Sequence, residues 1–431
     1  MNLTPRRTPS VLSRILNALA LLLGAVALIA TVWIIFPAPS YHVWLLSVLA
    51  SEWSLGFGAL GALGIVCSLL ARAAGGGRLR PAVLLAGGVA LTFALYPLCS
   101  ALRAAREYNV PLSLRQYVSG FRSEVSGDNA ETNARTSTTY TYAIVDGSAL
   151  RLDVYLPPSN VVSNGAGLIV VHGGSWNAGV RNDFPRWNRW LARQGFAVFD
   201  VDYRLVPQPN WQTAIGDVKC AVAWVKRHAV EFRVSPNRLA LLGRSAGGHL
   251  ALLAAYSATD ARLPPSCTHT EADEEATTLD SSGADVRAVV SFYAPTDLLW
   301  AYDNPANGRV IDGPGTLRRF IGGNPHASSD IRERFILASP VAHVIESRTP
   351  ATLLIHGGYD QLVRSENMDL LGKKLKEAGV PHKVVLIPYA QHGFDYNFNG
   401  WGAQVVQHVL LDFLRESTKQ QYGRDVNDAK Q

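Results

Sequence analysis

The amino-acid sequence predicts a doubly wound α/β domain with a mostly parallel sheet and a cap insertion, preceded by an all-α transmembrane segment. Three observations lead to this prediction. Long charge-free apolar runs occupy the first hundred residues. Strand-like and helix-like stretches alternate from Tyr140 onward, and a G-x-S-x-G motif lies between one of these strands and the following helix.

The positive charge of the chain is concentrated near its N-terminus. Residues 1–120 hold nine arginines, no lysine and two acidic residues, a balance of +7, whereas the remaining 31 basic and 32 acidic residues give −1. Arginines that flank apolar runs are typical of a membrane surface. We therefore expect the bilayer as a partner and no binding of nucleic acid.

Three apolar runs, 15–36, 53–71 and 81–102, predict a membrane anchor over residues 1–102. The first run has 22 residues without a charge, and as a helix it would reach ~33 Å, enough for a bilayer core of ~30 Å. It is longer than the apolar part of a usual signal peptide. Glu52 precedes the second run at the expected interface, and an anchor with only two spans remains an alternative.

Residues 103–138 form a polar stretch that predicts a linker, residues 139–418 carry the α/β pattern, and residues 419–431 form a polar tail. Several strands are almost continuously apolar, as expected for a parallel sheet covered by helices on both faces. The first two strands are expected to form an antiparallel edge hairpin. The predicted strands are 140–145, 150–156, 167–172, 196–202, 238–243, 286–293, 350–356 and 382–388, and the predicted helices are 184–194, 212–230, 247–258, 364–379 and 402–417.

Two stretches interrupt this alternation. Residues 260–285 are polar and acidic and predict a surface excursion, while 296–348 predict a cap over the active site. Trp300 and Phe320 in the cap are expected to line the substrate site.

The four cysteines show neither a CxxC motif nor zinc-ligand spacing. Cys67 and Cys99 lie in apolar runs, and Cys220 and Cys267 lie far apart in the remainder. Buried thiols are the favoured interpretation, and a Cys220–Cys267 disulfide is left open. We expect no metal and no other cofactor.

Ser245 is the expected nucleophile. It is the central residue of Gly243-Arg-Ser-Ala-Gly247, which follows an apolar strand and precedes an Ala/Leu-rich helix. That order is typical of a nucleophile elbow, in which the serine occupies a sharp turn at the carboxyl end of a strand.

A serine nucleophile needs a base, and the base needs an orienting acid. His392 follows the last predicted strand in Gln-His-Gly-Phe, and Asp360 follows the strand before it. Asp297, one strand earlier, is the rival for the acid. We favour Asp360 because its strand directly precedes that of His392, and we expect Ser245, Asp360 and His392 to form the catalytic triad.

A glycine-rich loop after the third predicted strand is the expected oxyanion hole. In Val-Val-His-Gly-Gly-Ser-Trp, the residues Gly173, Gly174 and Ser175 would supply backbone N–H donors, and Ala246 would add its own. His172 and Trp176 are expected to buttress the loop. A dinucleotide site is not indicated, since no G-x-G-x-x-G occurs at the first strand-to-helix turn.

Taken together, His-Gly-Gly-Ser-Trp, Asp-Tyr-Arg-Leu at 202–205, Gly-Arg-Ser-Ala-Gly-Gly-His-Leu, His-Gly-Gly-Tyr-Asp and Gln-His-Gly-Phe resemble the hormone-sensitive-lipase-like esterases of the α/β-hydrolase fold. The chain is most similar to the branch with acetyl-xylan and feruloyl esterases, kynurenine formamidase and prenylcysteine methylesterase, and also to membrane-anchored Lip-type carboxylesterases of actinobacteria. The resemblance covers roughly 140–418. It departs from many relatives at Ser175, where a third glycine is usual.

This resemblance implies a serine hydrolase that cleaves small-molecule or lipid carboxylic esters, with the same triad and with N–H groups of Gly174, Ser175 and Ala246 as the oxyanion hole. An amidase or peptidase on the same fold is the alternative within enzymes. A non-catalytic binding module is the alternative outside them, although such modules usually lack a triad member. The oligomeric state is left open.

The arginine distribution also predicts a topology. Arg6, Arg7 and Arg14 precede the first span, and three more arginines lie between the second and third spans. Because positive charge favours the cytoplasm, three spans would place the catalytic domain outside it. Arginines that follow the third span favour the opposite orientation.

Overall fold

A computed structural model of the chain describes residues 10–75, 81–126, 137–267 and 285–419. The domain that follows the N-terminal helices is built on one eight-stranded sheet with the order β1-β2-β4-β3-β5-β6-β7-β8. Its strands are β1 (Thr138–Val145), β2 (Ser148–Tyr155), β3 (Gly167–Val171), β4 (Ala197–Val201), β5 (Leu239–Arg244), β6 (Ala288–Phe292), β7 (Ala351–Gly357) and β8 (His382–Ile387).

The sheet is antiparallel only at its first edge, where β1 pairs with β2 and β2 pairs with β4. The strands from β4 to β8 run parallel. Residues of β3, β5 and β6 are buried on both faces, as a sheet covered by two helical layers requires. The prediction of a doubly wound, mostly parallel sheet is confirmed, and the first two strands form a hairpin.

Helices cover both faces of the sheet and also precede it. They are α1 (Val11–Thr31), α2 (Tyr41–Glu52), α3 (Ser54–Ala73), α4 (Pro81–Glu107), α5 (Leu114–Ser126), α6 (Pro185–Arg193), α7 (Trp211–Arg227), α8 (Ala246–Tyr256), α9 (Leu298–Asp303), α10 (Gly313–Ile321), α11 (Ser329–Leu337), α12 (Glu366–Glu377) and α13 (Trp401–Ser417). Helices α7, α8 and α12 contribute to the core on one face, and α6 and α13 contribute to the core on the other.

Three N-terminal helices are long and apolar enough to cross a membrane: α1 with the 3-10 turn that extends it to Ile34, then α3, then α4. The glycines of α3 lie where these helices meet. A Cβ added at Gly61 would lie 3.2 Å from the carbonyl oxygen of Gly87 in α4, and one at Gly64 would lie 3.2 Å from the carbonyl oxygen of Ala20 in α1. Small residues therefore allow close backbone contact on both sides of α3.

Two of the helices that precede the sheet were not expected from the sequence. Helix α2 forms a separate short helix between α1 and α3, because Ser40 caps its N-terminus by accepting from the N–H of Val43. Helix α5 lies within the segment that the sequence predicts as a linker, and its Tyr117 stacks on Trp401 of α13 with the ring centroids 4.3 Å apart. The end of α4 joins the same packing through Ala101 and Ala105, which belong to the core between the sheet and α13.

The structure bonds Cys220 to Cys267, with their Cα atoms 5.8 Å apart, in place of the two thiols that we favoured. This disulfide ties α7 to the segment that follows α8. Most of the predicted surface excursion, 268–284, lies outside the described residues, as does the polar tail beyond residue 419. The predicted cap contains α9, α10, α11 and a 3-10 turn, Pro340–His343.

Candidate active site

Ser245 lies on a sharp turn between β5 and α8, with the left-handed backbone angle φ of 53°. The two glycines of the motif permit this turn because there is no space for side chains around it. A Cβ at Gly243 would lie 2.1 Å from the carbonyl oxygen of Gly247, and a Cβ at Gly247 would lie 2.2 Å from the carbonyl oxygen of His172. The serine is thus held at the carboxyl end of the central strand in a conformation that L-residues rarely adopt.

A hydrogen-bonded relay connects Ser245 to the two other residues expected in the triad. His392 Nε2 lies 2.9 Å from Ser245 Oγ, and His392 Nδ1 lies 2.7 Å from Asp360 Oδ2. With the imidazole neutral, Nδ1–H donates to the carboxylate and Nε2 accepts from the serine hydroxyl. The three side chains come from loops that follow β5, β7 and β8, so the parallel sheet brings them to one edge.

Asp360 is fully buried, yet both of its carboxylate oxygens have partners. Oδ1 accepts from the backbone N–H groups of Leu362 at 2.8 Å and Val363 at 2.9 Å, and His356 Nε2 lies 3.1 Å from Oδ2. Burial opposes ionisation of this carboxyl, but the charges and hydrogen bonds of His392 and His356 outweigh it and hold the pKa of Asp360 below its usual value. The acid is therefore ionised at neutral pH.

Asp297, the rival for the acid, has a different partner. Its Oδ1 accepts from the backbone N–H of Trp300 at 3.0 Å, which makes Asp297 the N-cap of α9. Among the described residues, the carboxylate that is hydrogen-bonded to His392 is that of Asp360.

The glycine-rich loop after β3 lies directly against the nucleophile. A Cβ at Gly173 would lie 3.0 Å from the carbonyl oxygen of Arg244, and Gly174, Ser175 and Trp176 have consecutive positive φ angles of 109°, 53° and 60°. Ser175 and Ala246 line the same pocket as Ser245 and His392. The residues expected to form the oxyanion hole are thus close to the serine, with a serine at 175 in a conformation more usual for glycine.

Stacked aromatic side chains pack against the glycine-rich loop. His172 stacks on Tyr203 at 4.4 Å, and Trp176 stacks on Phe320 of α10 at 4.2 Å. Trp176 Nε1 also donates to His249 Nδ1 at 3.2 Å. Burial lowers the pKa of His249 to about 4, so its ring stays neutral and can accept this bond.

An apolar pocket opens above Ser245 under the cap. Its cap wall comes from α9, α10 and the loop between them, and its other wall comes from the loop that follows Asp360. The cap residues in the lining are Ala301, Asn304, Pro305, Ala306, Ile311, Gly313, Thr316 and Leu317. Neither Trp300 nor Phe320 belongs to the lining, contrary to expectation, because Phe320 is fully buried behind Trp176 and Trp300 lies beside the guanidinium of Arg364.

A buried ion pair under the site was not anticipated from the sequence. Arg244, next to the nucleophile, donates from Nε to Asp395 Oδ2 at 2.6 Å, and Tyr293 donates its hydroxyl to Asp395 Oδ1 at 2.6 Å. The guanidinium carbon of Arg244 also lies 4.1 Å from the ring centroid of Phe184. The pair joins the end of β5 to the loop that carries His392. Its only signal in the sequence is an arginine inside the motif and an acid three residues after the histidine.

Within the described ranges, no group of three or more His, Cys, Asp and Glu side chains is arranged to hold a metal ion.

A family model described as BD-FAE matches residues 152–375, which include the nucleophile motif and Asp360. The chain is 31% identical to the probable carboxylic ester hydrolase LipM of Mycobacterium tuberculosis over 252 residues, which are 58% of this chain and 54% of that protein. It is 29% identical to esterase LipC of the same organism over 289 residues, 65% of this chain and 66% of that protein.

A more distant similarity connects the chain to a probable isoprenylcysteine alpha-carbonyl methylesterase of Arabidopsis thaliana, at 25% identity over 56% of this chain and 48% of that protein. The chain thus spans about half to two thirds of the length of these relatives. Among solved structures, an esterase from Thermogutta terrifontis is similar with a TM-score of 0.50 and 23% identity, over 68% of this chain and 96% of that one. That similarity shows the α/β-hydrolase fold.

Proposed function

The chain belongs to the BD-FAE family, and from this premise we propose that it is a serine hydrolase of carboxylic esters with Ser245, His392 and Asp360 as its triad. The observation that carries the proposal is the relay from Asp360 through His392 to Ser245, which ends at an apolar pocket. The esterase names of its relatives support the same reaction class.

In the acylation step, Ser245 Oγ attacks the carbonyl carbon of the ester while its proton passes to His392 Nε2. Asp360 is ionised and accepts from Nδ1, so it stabilises the imidazolium that forms. The carbonyl oxygen becomes an oxyanion that backbone N–H groups of the 173–175 loop and Ala246 would stabilise. Collapse of this intermediate breaks the bond to the alcohol oxygen, which leaves with the proton from His392 and gives an acyl-Ser245 ester.

Deacylation repeats these roles with water as the nucleophile. His392 takes a proton from water, the resulting hydroxide adds to the acyl carbonyl, and the second intermediate expels Ser245 Oγ, which recovers a proton from His392. The products are one carboxylic acid and one alcohol. Every proton is returned, so the relay starts the next cycle unchanged.

The test uses the full chain in detergent micelles with p-nitrophenyl butyrate. We expect Ser245→Ala to lower kcat by about 10⁴–10⁶-fold, and to abolish labelling by a fluorophosphonate probe. Ser163→Ala, an exposed serine at the opposite edge of the sheet, is the matched control and should leave both unchanged. Turnover of Ser245→Ala within tenfold of wild type would refute the assignment, and faster cleavage of the matched p-nitroanilide would instead favour an amidase.

We further propose that α1, α3 and α4 anchor the enzyme in a membrane, with the catalytic domain on the extracytoplasmic side. The arginines before α1 and between α3 and α4 support a cytoplasmic N-terminus. Three spans would then place the catalytic domain outside the cytoplasm. The Cys220–Cys267 disulfide adds independent support, because disulfides persist mainly in oxidising compartments.

A further inference from the structure

Helix α2 has an apolar face that no described part of the chain covers. Tyr41, Leu45 and Leu49 are 49%, 46% and 45% exposed, and they follow one another at intervals of four residues along one side of the helix. The helix carries no Asp, Glu, Lys or Arg before Glu52 at its end. Such a face is costly in water and is typical of a helix that lies in a membrane interface.

The side of α2 next to this face packs against the rim of the active-site pocket, and the ring of Trp44 on that side contacts the ring of Tyr41, with centroids 5.3 Å apart. Trp44 of α2 and Ala38 of the preceding loop form a small buried cluster with Val310 of the cap. The backbone N–H of Ala38 donates to Gln361 Oε1 at 2.7 Å, and Asn307 Nδ2 donates to the carbonyl oxygen of Ala38 at 2.7 Å. The anchor is therefore bonded to both walls of the pocket.

Only one layer of residues separates α2 from the pocket interior. Leu362 packs against the cluster of Ala38, Trp44 and Val310, and it also lines the pocket. Ala306 and Ile311, the chain neighbours of Asn307 and Val310, line it too. The edge of the pocket nearest the anchor is thus apolar and continuous with α2.

Helix α2 lies at the end of the three candidate spans that faces the catalytic domain. Ile34, at the end of the α1 extension, packs with Tyr96 of α4, and Tyr96 in turn contacts Tyr359 beside the acid, with ring centroids 6.3 Å apart. Because α2 directly connects two candidate spans, it lies at the boundary between bilayer and water. Its exposed apolar face has the bilayer as its occupant.

We propose that the pocket takes membrane-embedded esters with a long hydrocarbon chain, which enter from the bilayer past α2. This inference rests on the proposed ester hydrolysis and on the proposed membrane anchor. The bilayer holds the hydrocarbon chain beside the uncovered face of α2, and the carbonyl moves along the apolar rim to Ser245. Helix α2 then contributes to substrate choice without touching the reacting atoms.

The test compares two substrates with the same leaving group. The full chain is reconstituted in vesicles of ether-linked phosphatidylcholine, which contain no competing ester, and is assayed with p-nitrophenyl palmitate in the bilayer and p-nitrophenyl acetate in the water. The variant Leu45→Glu/Leu49→Glu puts two charges on the uncovered face. We expect its kcat/KM for palmitate to fall by about tenfold while the value for acetate stays within twofold.

Val230→Glu is the matched control, because Val230 is 91% exposed on the catalytic domain and is not among the residues that line the pocket. It should change neither rate. If the glutamate variant does not fold, Leu45→Ser/Leu49→Ser makes the same face polar without charge and should shift the ratio in the same direction.

The outcomes separate the two proposals. A wild-type chain that cleaves neither ester refutes ester hydrolysis and this inference with it. Normal acetate cleavage with an unchanged palmitate-to-acetate ratio in the variants overturns only the route past α2. A change of oligomeric state without a change of that ratio would also overturn it, since the face would then bind a second copy of the chain.

Discussion

At the scale of single residues, the relay depends on a carboxylate that remains charged although it is fully buried. Four donors reach Asp360, two from its own loop and two from histidines. The backbone donors fix the carboxylate in place, so the direction of the His392 ring is set by the loop after β7. Removing any of these donors leaves the buried charge less well compensated, which costs free energy of folding.

We expect Asp360→Asn to lower kcat by about 10⁴-fold, because an amide in this position favours the wrong tautomer of His392. Asp297→Asn is the matched control, since asparagine is also a good N-cap and keeps α9 intact. Steady-state hydrolysis of p-nitrophenyl butyrate by both variants measures the difference. A large loss of kcat in Asp297→Asn with a small loss in Asp360→Asn would show that the acid of the triad is Asp297.

The sequence predicted the relay residues because each follows a strand whose apolar run is recognisable, and parallel strands end at one edge. The pair of Arg244 and Asp395 could not be predicted in this way. The two residues are 151 positions apart, and their contact depends on how the loop after β8 folds back beneath the serine. A sequence pattern shows what precedes a loop but not where its side chains turn.

At the scale of secondary-structure elements, the junction of α2 with the histidine loop contains a carboxyl group in an unfavourable environment. Glu52 is 2% exposed, and neither of its carboxylate oxygens has a hydrogen-bond partner among the described residues. It packs against Gly400, where an added Cβ would lie too close to Oε2. Burial first, and the nearby Asp395 second, raise the pKa of Glu52 well above its usual value.

This raised pKa determines how stability should vary with pH. Above the unfolded pKa of about 4.3, the unfolded chain releases the proton of Glu52 while the folded chain keeps it. Stability then falls with rising pH by up to about 1.4 kcal/mol per unit until the folded pKa is passed. Glutamine at position 52 has no proton to release, so the stability of Glu52→Gln lacks this fall with pH. The Tm of the variant should therefore exceed that of wild type by more at pH 8 than at pH 5.

Thermal unfolding in detergent micelles measures this gain. Glu377→Gln, at an exposed position of α12, is the control and should shift Tm equally at the two pH values. An equal gain for Glu52→Gln at pH 5 and pH 8 would contradict a protonated Glu52 in the folded chain.

Element boundaries followed from the sequence where one period or one apolar run dominated, as in β5, β7 and α13. The bounds of helix α2 did not, because apolar residues occupy both its buried and its exposed sides, so that no helical period stands out. The cap aromatics were misplaced for a related reason. Phe320 has the composition of a pocket residue, but its ring stacks on Trp176, and this contact could not be read from either segment alone.

At the scale of the whole molecule, the proposed topology puts the N-terminus and the catalytic domain on opposite sides of a membrane. A reporter that is active only outside the cytoplasm should be active when fused after residue 120 and silent when fused at residue 75. The expected result follows from three spans and from the arginines near residues 6–14 and 72–80. Silence after residue 120 with activity at residue 75 would reverse the topology.

The packing of α4, α5 and α2 against the catalytic domain also fixes the height of the pocket relative to the anchor. Tyr108, which directly follows α4, accepts at its hydroxyl from the backbone N–H of Leu386 in β8, at 3.0 Å. For a chain anchored in this way, encounters with an embedded ester occur in two dimensions. The turnover rate then depends on the mole fraction of ester in the membrane. Adding more vesicles of the same composition leaves the rate per enzyme molecule unchanged.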